Sequence, residues 1–127
     1  MPTRIGRVRR LRRQAEFERV LRRGTRLDGR LFVVLARPND LGKDRLGLAV
    51  SRKVGGAVVR NRARRLLRES FHRTAVDTAG GYDIVVLAKR EIIGRTQAEV
   101  DREFEDRIRR LRRGRARPPV TPAASVD

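Results

Sequence analysis

The 127 residues carry 33 lysine and arginine side chains against 15 acids, giving a formal net charge of +18 and an isoelectric point near 11.9. Such a chain is long enough for a single modest core, and its charge calls for a polyanionic partner. With no cysteine, disulfides, thiolate metal sites and a cysteine nucleophile are excluded, and no window reaches the roughly 18 apolar residues of a membrane span.

Residues 1–13 are rich in arginine, with Ile5, Val8 and Leu11, which predicts a basic arm that orders on RNA. They lack the apolar centre of a signal peptide, and Glu16 and Glu18 interrupt the pattern of an organellar transit sequence, so a cytoplasmic location is expected. From Gln14 to Arg23 the spacing predicts a short helix, with Phe17, Val20 and Leu21 on one face and Gly24 where a C-terminal cap belongs. The run Leu31–Ala36 predicts a strand. So does Arg45–Ser51, where Leu46, Leu48 and Val50 alternate with Gly47, Ala49 and Ser51. The short loop Pro38–Asp44 between them predicts an antiparallel hairpin.

A long helix is predicted over about 57–74. At 100° per residue Val59, Ala63, Leu66, Leu67 and Ser70 share one face. Asn61, Arg64, Arg65, Arg68 and His72 share the opposite face, with Arg60 and Arg62 on the flanks. Ala79-Gly-Gly81 ends this unit, and the unbroken apolar run Tyr82–Ala88 predicts a strand covered on both faces. The last helix starts at Thr96, which forms a capping box with Glu99. Its buried stripe is Val100, Phe104, Ile108 and Leu111, and its charges run from acidic to basic as the helix dipole favours. Proline, alanine, serine and threonine dominate from Gly114, so a single domain over 1–113 with a disordered tail over 114–127 is expected. The sum is an α+β fold: a small two-layer sandwich in the order α-β-β-α-β-α, with helices against a mixed sheet.

The residues offer no enzyme site of their own. His72, the one histidine, stands on the arginine face with no nucleophile beside it, and a solvated side chain is the simpler reading. Asp101 with Glu105, or Glu99 with Glu103, shares a helical face; ordinary helix charge explains these pairs better than a divalent ion. Gly55-Gly56 before a helix suggests a phosphate cradle, but without a Walker pattern it is a tight turn. The stronger signal is Arg60, Arg62, Arg64, Arg65 and Arg68, with no acid among them before Glu69. Such self-repulsion disfavours a helix unless a polyanion relieves it. Thirty arginines against three lysines suit phosphate and RNA recognition, although a GC-rich genome would produce the same ratio. Phe17, Val20 and Leu21 read either as core or as one wall of a groove in which bases stack on the ring.

The segment Gly47-Leu-Ala-Val-Ser-Arg-Lys-Val-Gly-Gly-Ala-Val-Val-Arg-Asn-Arg-Ala-Arg-Arg-Leu-Leu-Arg-Glu69 closely resembles the signature of the bacterial ribonuclease P protein component, with Arg60-Asn-Arg62 as its RNR motif. Arg10-Leu11 with Phe17, Val20 and Gly24, then Arg30–Val33 and Tyr82–Lys89, extend the resemblance over about residues 9–112. The resemblance implies a helper protein for a catalytic RNA that removes the 5′ leader of precursor tRNA by hydrolysis. The RNA and its Mg2+ ions would carry the chemistry. It assigns binding of the catalytic RNA to Arg52, Lys53, Arg60, Asn61, Arg62, Arg64, Arg65 and Arg68. It also assigns the leader to a cleft between the first helix and the sheet, carried by Phe17 and Phe32 more than by Leu21 and Leu35. A left-handed βαβ crossover through the RNR helix is implied as well, against the usual hand. Four positions depart from the family pattern. Gly56 stands where asparagine is frequent, Leu21 and Leu35 where aromatics are frequent, and Ala49 where serine is common, which implies weaker leader stacking.

Two rivals share the charge but not the signature. A structural ribosomal RNA binder would look alike in size and composition. A DNA-binding regulator would need more base readers on the arginine helix than Asn61.

Overall fold

A computed structural model describes residues 9–10, 14–75 and 81–115. The rest of the expected arm and the tail beyond residue 115 lie outside the described residues. In chain order the elements are β1 (Arg9–Arg10), α1 (Gln14–Arg23), β2 (Thr25–Asp28), β3 (Phe32–Pro38) and β4 (Arg45–Ala49). There follow α2 (Ala57–Ala75), β5 (Tyr82–Ala88), a 3-10 turn (Arg90–Ile92) and α3 (Gln97–Arg115). The sheet order is β1-β4-β5-β3-β2. β5 pairs parallel with β4 and antiparallel with β3, so the sheet is mixed. Parallel neighbours need a crossover, and α2 supplies it between β4 and β5.

Side-chain alternation along the strands divides the core in two. Phe32, Val34, Ile84 and Val86 point to one face, where Ala63, Leu66, Leu67 and Phe71 of α2 and Val100, Phe104 and Ile108 of α3 cover them. Val33, Leu35 and Val85 point to the other face and meet Val20 of α1, with Phe17, Leu21 and Leu87 half-buried around them. The apolar run of β5 is therefore covered on both faces, as its composition predicts. Phe104 lies between Phe32 and Phe71, with ring centroids 5.7 and 6.3 Å away. Such aromatic pairs contribute about 1 kcal/mol beyond their buried area.

One local expectation is corrected. β3 and β4 do not form a hairpin: β5 is inserted between them, because its doubly apolar run needs the central place. The true hairpin joins β3 to the short strand β2, in register Thr25↔Ala36 to Asp28↔Val33. β2 is mostly exposed and carries little apolar signal. Gly24 follows the last residue of α1, where a cap is expected, though without left-handed backbone. Its N–H continues the helical pattern to the Val20 carbonyl at 2.8 Å. It is glycine because the backbone comes too close: a Cβ would stand 2.6 Å from the Val20 carbonyl oxygen and 3.1 Å from the Ala36 backbone. Gly81 does need left-handed backbone, at φ 90°.

At the start of α3 the capping box forms as predicted. The Thr96 N–H donates to Glu99 Oε1 at 2.9 Å, and the Glu99 N–H donates to Thr96 Oγ1 at 3.2 Å. Among the described residues no helix is long and apolar enough to cross a membrane.

Candidate nucleic-acid interface

The segment between β4 and α2 turns tightly, with the Val54 N–H on the Ser51 carbonyl (3.0 Å) and the Lys53 N–H on Ser51 Oγ (3.3 Å). This leaves Arg52 and Lys53 exposed beside the start of α2. The Gly56 carbonyl takes the first helical bond, from the Arg60 N–H at 2.9 Å. A Cβ on Gly56 would meet open space, so sterics do not require glycine there.

α2 has good reasons to be a helix, being rich in leucine, arginine and alanine with no glycine or proline inside it. Its apolar stripe falls as predicted: Ala63, Leu66, Leu67 and Ser70 are buried, joined by Phe71, and Val59 is half-buried. The stripe locks onto α3 through Ser70, whose hydroxyl donates to Asp101 Oδ1 at 2.5 Å, and through Gln97, which donates to the Leu66 carbonyl at 3.0 Å. That packing turns the arginines outward. Asn61, Arg62 and Arg65 are exposed, while Arg60, Arg64 and Arg68 are half-buried along their stems.

None of the ion pairs among the described residues involves Arg52, Lys53, Arg60, Arg62, Arg64, Arg65 or Arg68. Their partners are neutral. Arg64 donates to Asn61 Oδ1 at 2.9 Å and Arg62 to the Arg95 carbonyl at 3.1 Å. Arg60 Nε is shut off from solvent with no partner among the described residues. The first turn of α2 also holds no acid to offset its dipole. By contrast α3 has Glu99 in its first turn. All eight residues expected to bind the catalytic RNA thus gather on the α2 face and the turn before it. His72 borders this face. Burial pushes its imidazole below the usual value, with Arg68 adding to the shift and Glu69 opposing it.

The four residues expected at a leader cleft separate. Phe17 and Leu21 are half-buried on the flank of α1, with Leu35 buried beneath them. Phe32 lies elsewhere: it is fully buried on the opposite face of the sheet, against Phe104, and has no surface to offer a base. Its position at the first residue of β3, one step out of phase with Val33 and Leu35, sends it there. Ala49 is half-buried beside this region.

Three of the four acids considered as metal ligands are engaged otherwise, and Glu105 is exposed. Asp101 accepts from Ser70, Arg73 and Gln97. Glu99 caps α3, and Glu103 accepts the Leu31 N–H at 2.8 Å. No group of three His, Cys, Asp or Glu side chains among the described residues is placed to hold a metal, so these residues do not fit a magnesium site of the protein's own.

Sequence reading missed the concavity on the outer side of α1, lined by Arg19, Arg22, Arg23 and Arg37. Period-two alternation from Leu35 would have placed Arg37 on the α1 face.

Comparison with known proteins agrees with the signature in the sequence. The family model for ribonuclease P matches residues 5–112. A ribonuclease P protein component from Dehalococcoides mccartyi is 46% identical over 93 residues, covering 73% of this chain and 76% of that protein. The RNase P protein of Staphylococcus aureus has TM-score 0.71 at 30% identity, over 80% of this chain and 94% of its own. That of Thermotoga maritima has TM-score 0.61 at 34% identity, over 80% and 93%. The chain belongs to the ribonuclease P protein component family, and with it to a tRNA-processing endoribonuclease with an RNA partner.

Proposed function

We propose that this protein binds the catalytic RNA of ribonuclease P through the arginine face of α2 and holds the 5′ leader of precursor tRNA beside Phe17. The observation that carries the first half is the set of seven cations on α2 and its preceding turn with no acid among the described residues paired to any of them. Left alone, they repel one another, and those nearest the start of α2 also oppose the helix dipole. Phosphate oxygens relieve both penalties. Arginine forks fixed by Asn61 and by the Arg95 carbonyl are preorganised for that contact.

For the leader, Phe17 offers a half-buried ring with Leu21 beside it, on the face of the sheet opposite α2. A single strand stacks on such a ring without being read base by base. With one aromatic and one leucine at the surface, stacking is weak and sequence preference low. Substrate and catalytic RNA then occupy opposite faces, and the protein ties one to the other. The active site and its Mg2+ belong to the RNA in this reading, and the protein's acids serve its own fold. Cleavage hydrolyses the phosphodiester at the leader junction and leaves the 5′-phosphate on the mature tRNA.

The test is cleavage of 5′-labelled precursor tRNA at low magnesium with the cognate RNA alone, the protein alone, and both. Correct cleavage requiring both supports the reading. Cleavage by the protein alone overturns it, and tight RNA binding without stimulation points to a purely structural RNA binder.

A further inference from the structure

We infer that the outer side of α1 carries a second phosphate-binding surface, which takes the upstream continuation of the single-stranded leader. This inference rests on the leader reading above and extends it.

The surface is an open concavity of about 450 Å³, lined by Ala15, Glu18, Arg19, Arg22, Arg23 and Arg37. Four arginines face one carboxylate there. Glu18 is a weak counter-charge: it stands 4.0 Å from Arg22 and also accepts from Gln14 at 3.1 Å. Arg19, Arg23 and Arg37 enter none of the ion pairs among the described residues. Arg37 does feel Asp83. That carboxylate is already held by Arg45 at 2.7 and 2.8 Å and by Asn39 at 2.8 Å, so the Arg37 fork stays available. Two independent elements therefore bring charge to one hollow: a helix flank, and the end of a sheet strand.

Placement chooses the occupant. Arg37 follows Leu35 on the α1 face of the sheet, whereas the stripe of α2 packs on the other face. The sheet and α1 stand between this hollow and the arginines of α2, so a folded RNA docked on α2 does not also face it. On the helical wheel Phe17 and Leu21 lie on one flank of α1, Arg19 and Arg23 on the other, and Arg22 on the outward crest between. The helix is about 10–12 Å across with its side chains. A flexible strand that stacks on Phe17 crosses the crest at Arg22 and sets its next phosphates on Arg19, Arg23 and Arg37. A duplex is too stiff to make that turn.

The experiment uses the assembled holoenzyme with two precursor tRNAs, one with a leader that ends at the Phe17 cleft and one with a leader longer by roughly ten nucleotides, within the range of single-strand sites. The triple variant Arg19→Ala/Arg23→Ala/Arg37→Ala should weaken the long-leader precursor about tenfold and flatten its log–log salt dependence by about 2, for three lost single-strand contacts. The short-leader precursor and the affinity for the catalytic RNA should not change. The corresponding triple lysine variant should recover most of the loss, which also controls for folding. Equal loss on both precursors, or loss of catalytic-RNA affinity, overturns the inference. The cleft reading fails separately: Phe17→Ala losing precursor and mature tRNA equally would remove the cleft while leaving a long-leader effect of the arginines intact.

Discussion

Arg45 grips both carboxylate oxygens of Asp83 across the parallel pair β4–β5, Nε to Oδ1 at 2.7 Å and Nη2 to Oδ2 at 2.8 Å. Its remaining nitrogen reaches Glu16 on α1 at 3.1 Å. One guanidinium thus joins two strands and pins the helix that carries Phe17. Both partners are largely buried, so the pair is worth more than a surface bridge. Asp83→Asn should destabilise the fold by about 2 kcal/mol, because it leaves a desolvated Arg45 short of its counter-charge. Urea unfolding of the isolated protein measures this.

The same pair sets an acid limit. Partial burial pushes the Asp83 carboxyl up, but the hydrogen bonds from Arg45 and Asn39 outweigh it and hold the group below its usual range. A carboxyl lower in the folded than in the unfolded state stabilises fully above the unfolded value of about 3.9. That contribution should disappear as pH falls through the lower folded value. Unfolding free energy followed from pH 6 downward should show an acid loss that is smaller in Asp83→Asn.

Phe17 and Phe32 should behave as opposites. Phe32→Ala opens a cavity among Phe104 and its neighbours and should cost about 3–5 kcal/mol, with no selective effect on substrate. Phe17→Ala should cost less stability and weaken precursor tRNA relative to mature tRNA. Equilibrium binding of both tRNAs to the holoenzyme, beside thermal unfolding, separates these outcomes.

These two phenylalanines also show where the sequence stopped being informative. Helices were legible because their signals are local: α1 runs over the predicted Gln14–Arg23, and the Thr96–Glu99 box starts α3. The arginine face of α2 was legible for the same reason, since helical periodicity turns five arginines outward once Leu66 and Leu67 turn inward. Strand pairing is not local. Nothing in residues 31–51 says that β5, from thirty residues further on, separates β3 from β4. The placement of Phe32 depended on strand phase and on which face α1 covers, and both emerge only when the sheet is assembled. Gly24 carried a familiar cap signal whose actual cause is the nearness of the Ala36 backbone.

Gly24→Ala should therefore be destabilising, by about 2 kcal/mol, since the obstacles to a Cβ are backbone atoms that cannot rotate away. Gly56→Ala, with open space around it, should be nearly neutral in stability. A shift of the urea midpoint in the first variant and not in the second is the expected result.

Asp101 should prove structural. It accepts from Ser70, Arg73 and Gln97 between α2 and α3. Asp101→Ala should cost about 2 kcal/mol of stability while leaving affinity for the catalytic RNA and its magnesium dependence unchanged. A change in the magnesium requirement would assign this acid a part in metal binding.

The claim on which the rest depends is that the arginine face of α2 binds the catalytic RNA through phosphates. Its most direct test is the dissociation constant for the cognate RNA as a function of salt, for the protein and for Arg60→Ala/Arg64→Ala/Arg68→Ala. Three lost contacts should weaken binding at low salt by tenfold or more and flatten the log–log slope by about 2–3. The same affinity and the same slope in a folded triple variant would contradict the account and place the RNA elsewhere on the protein.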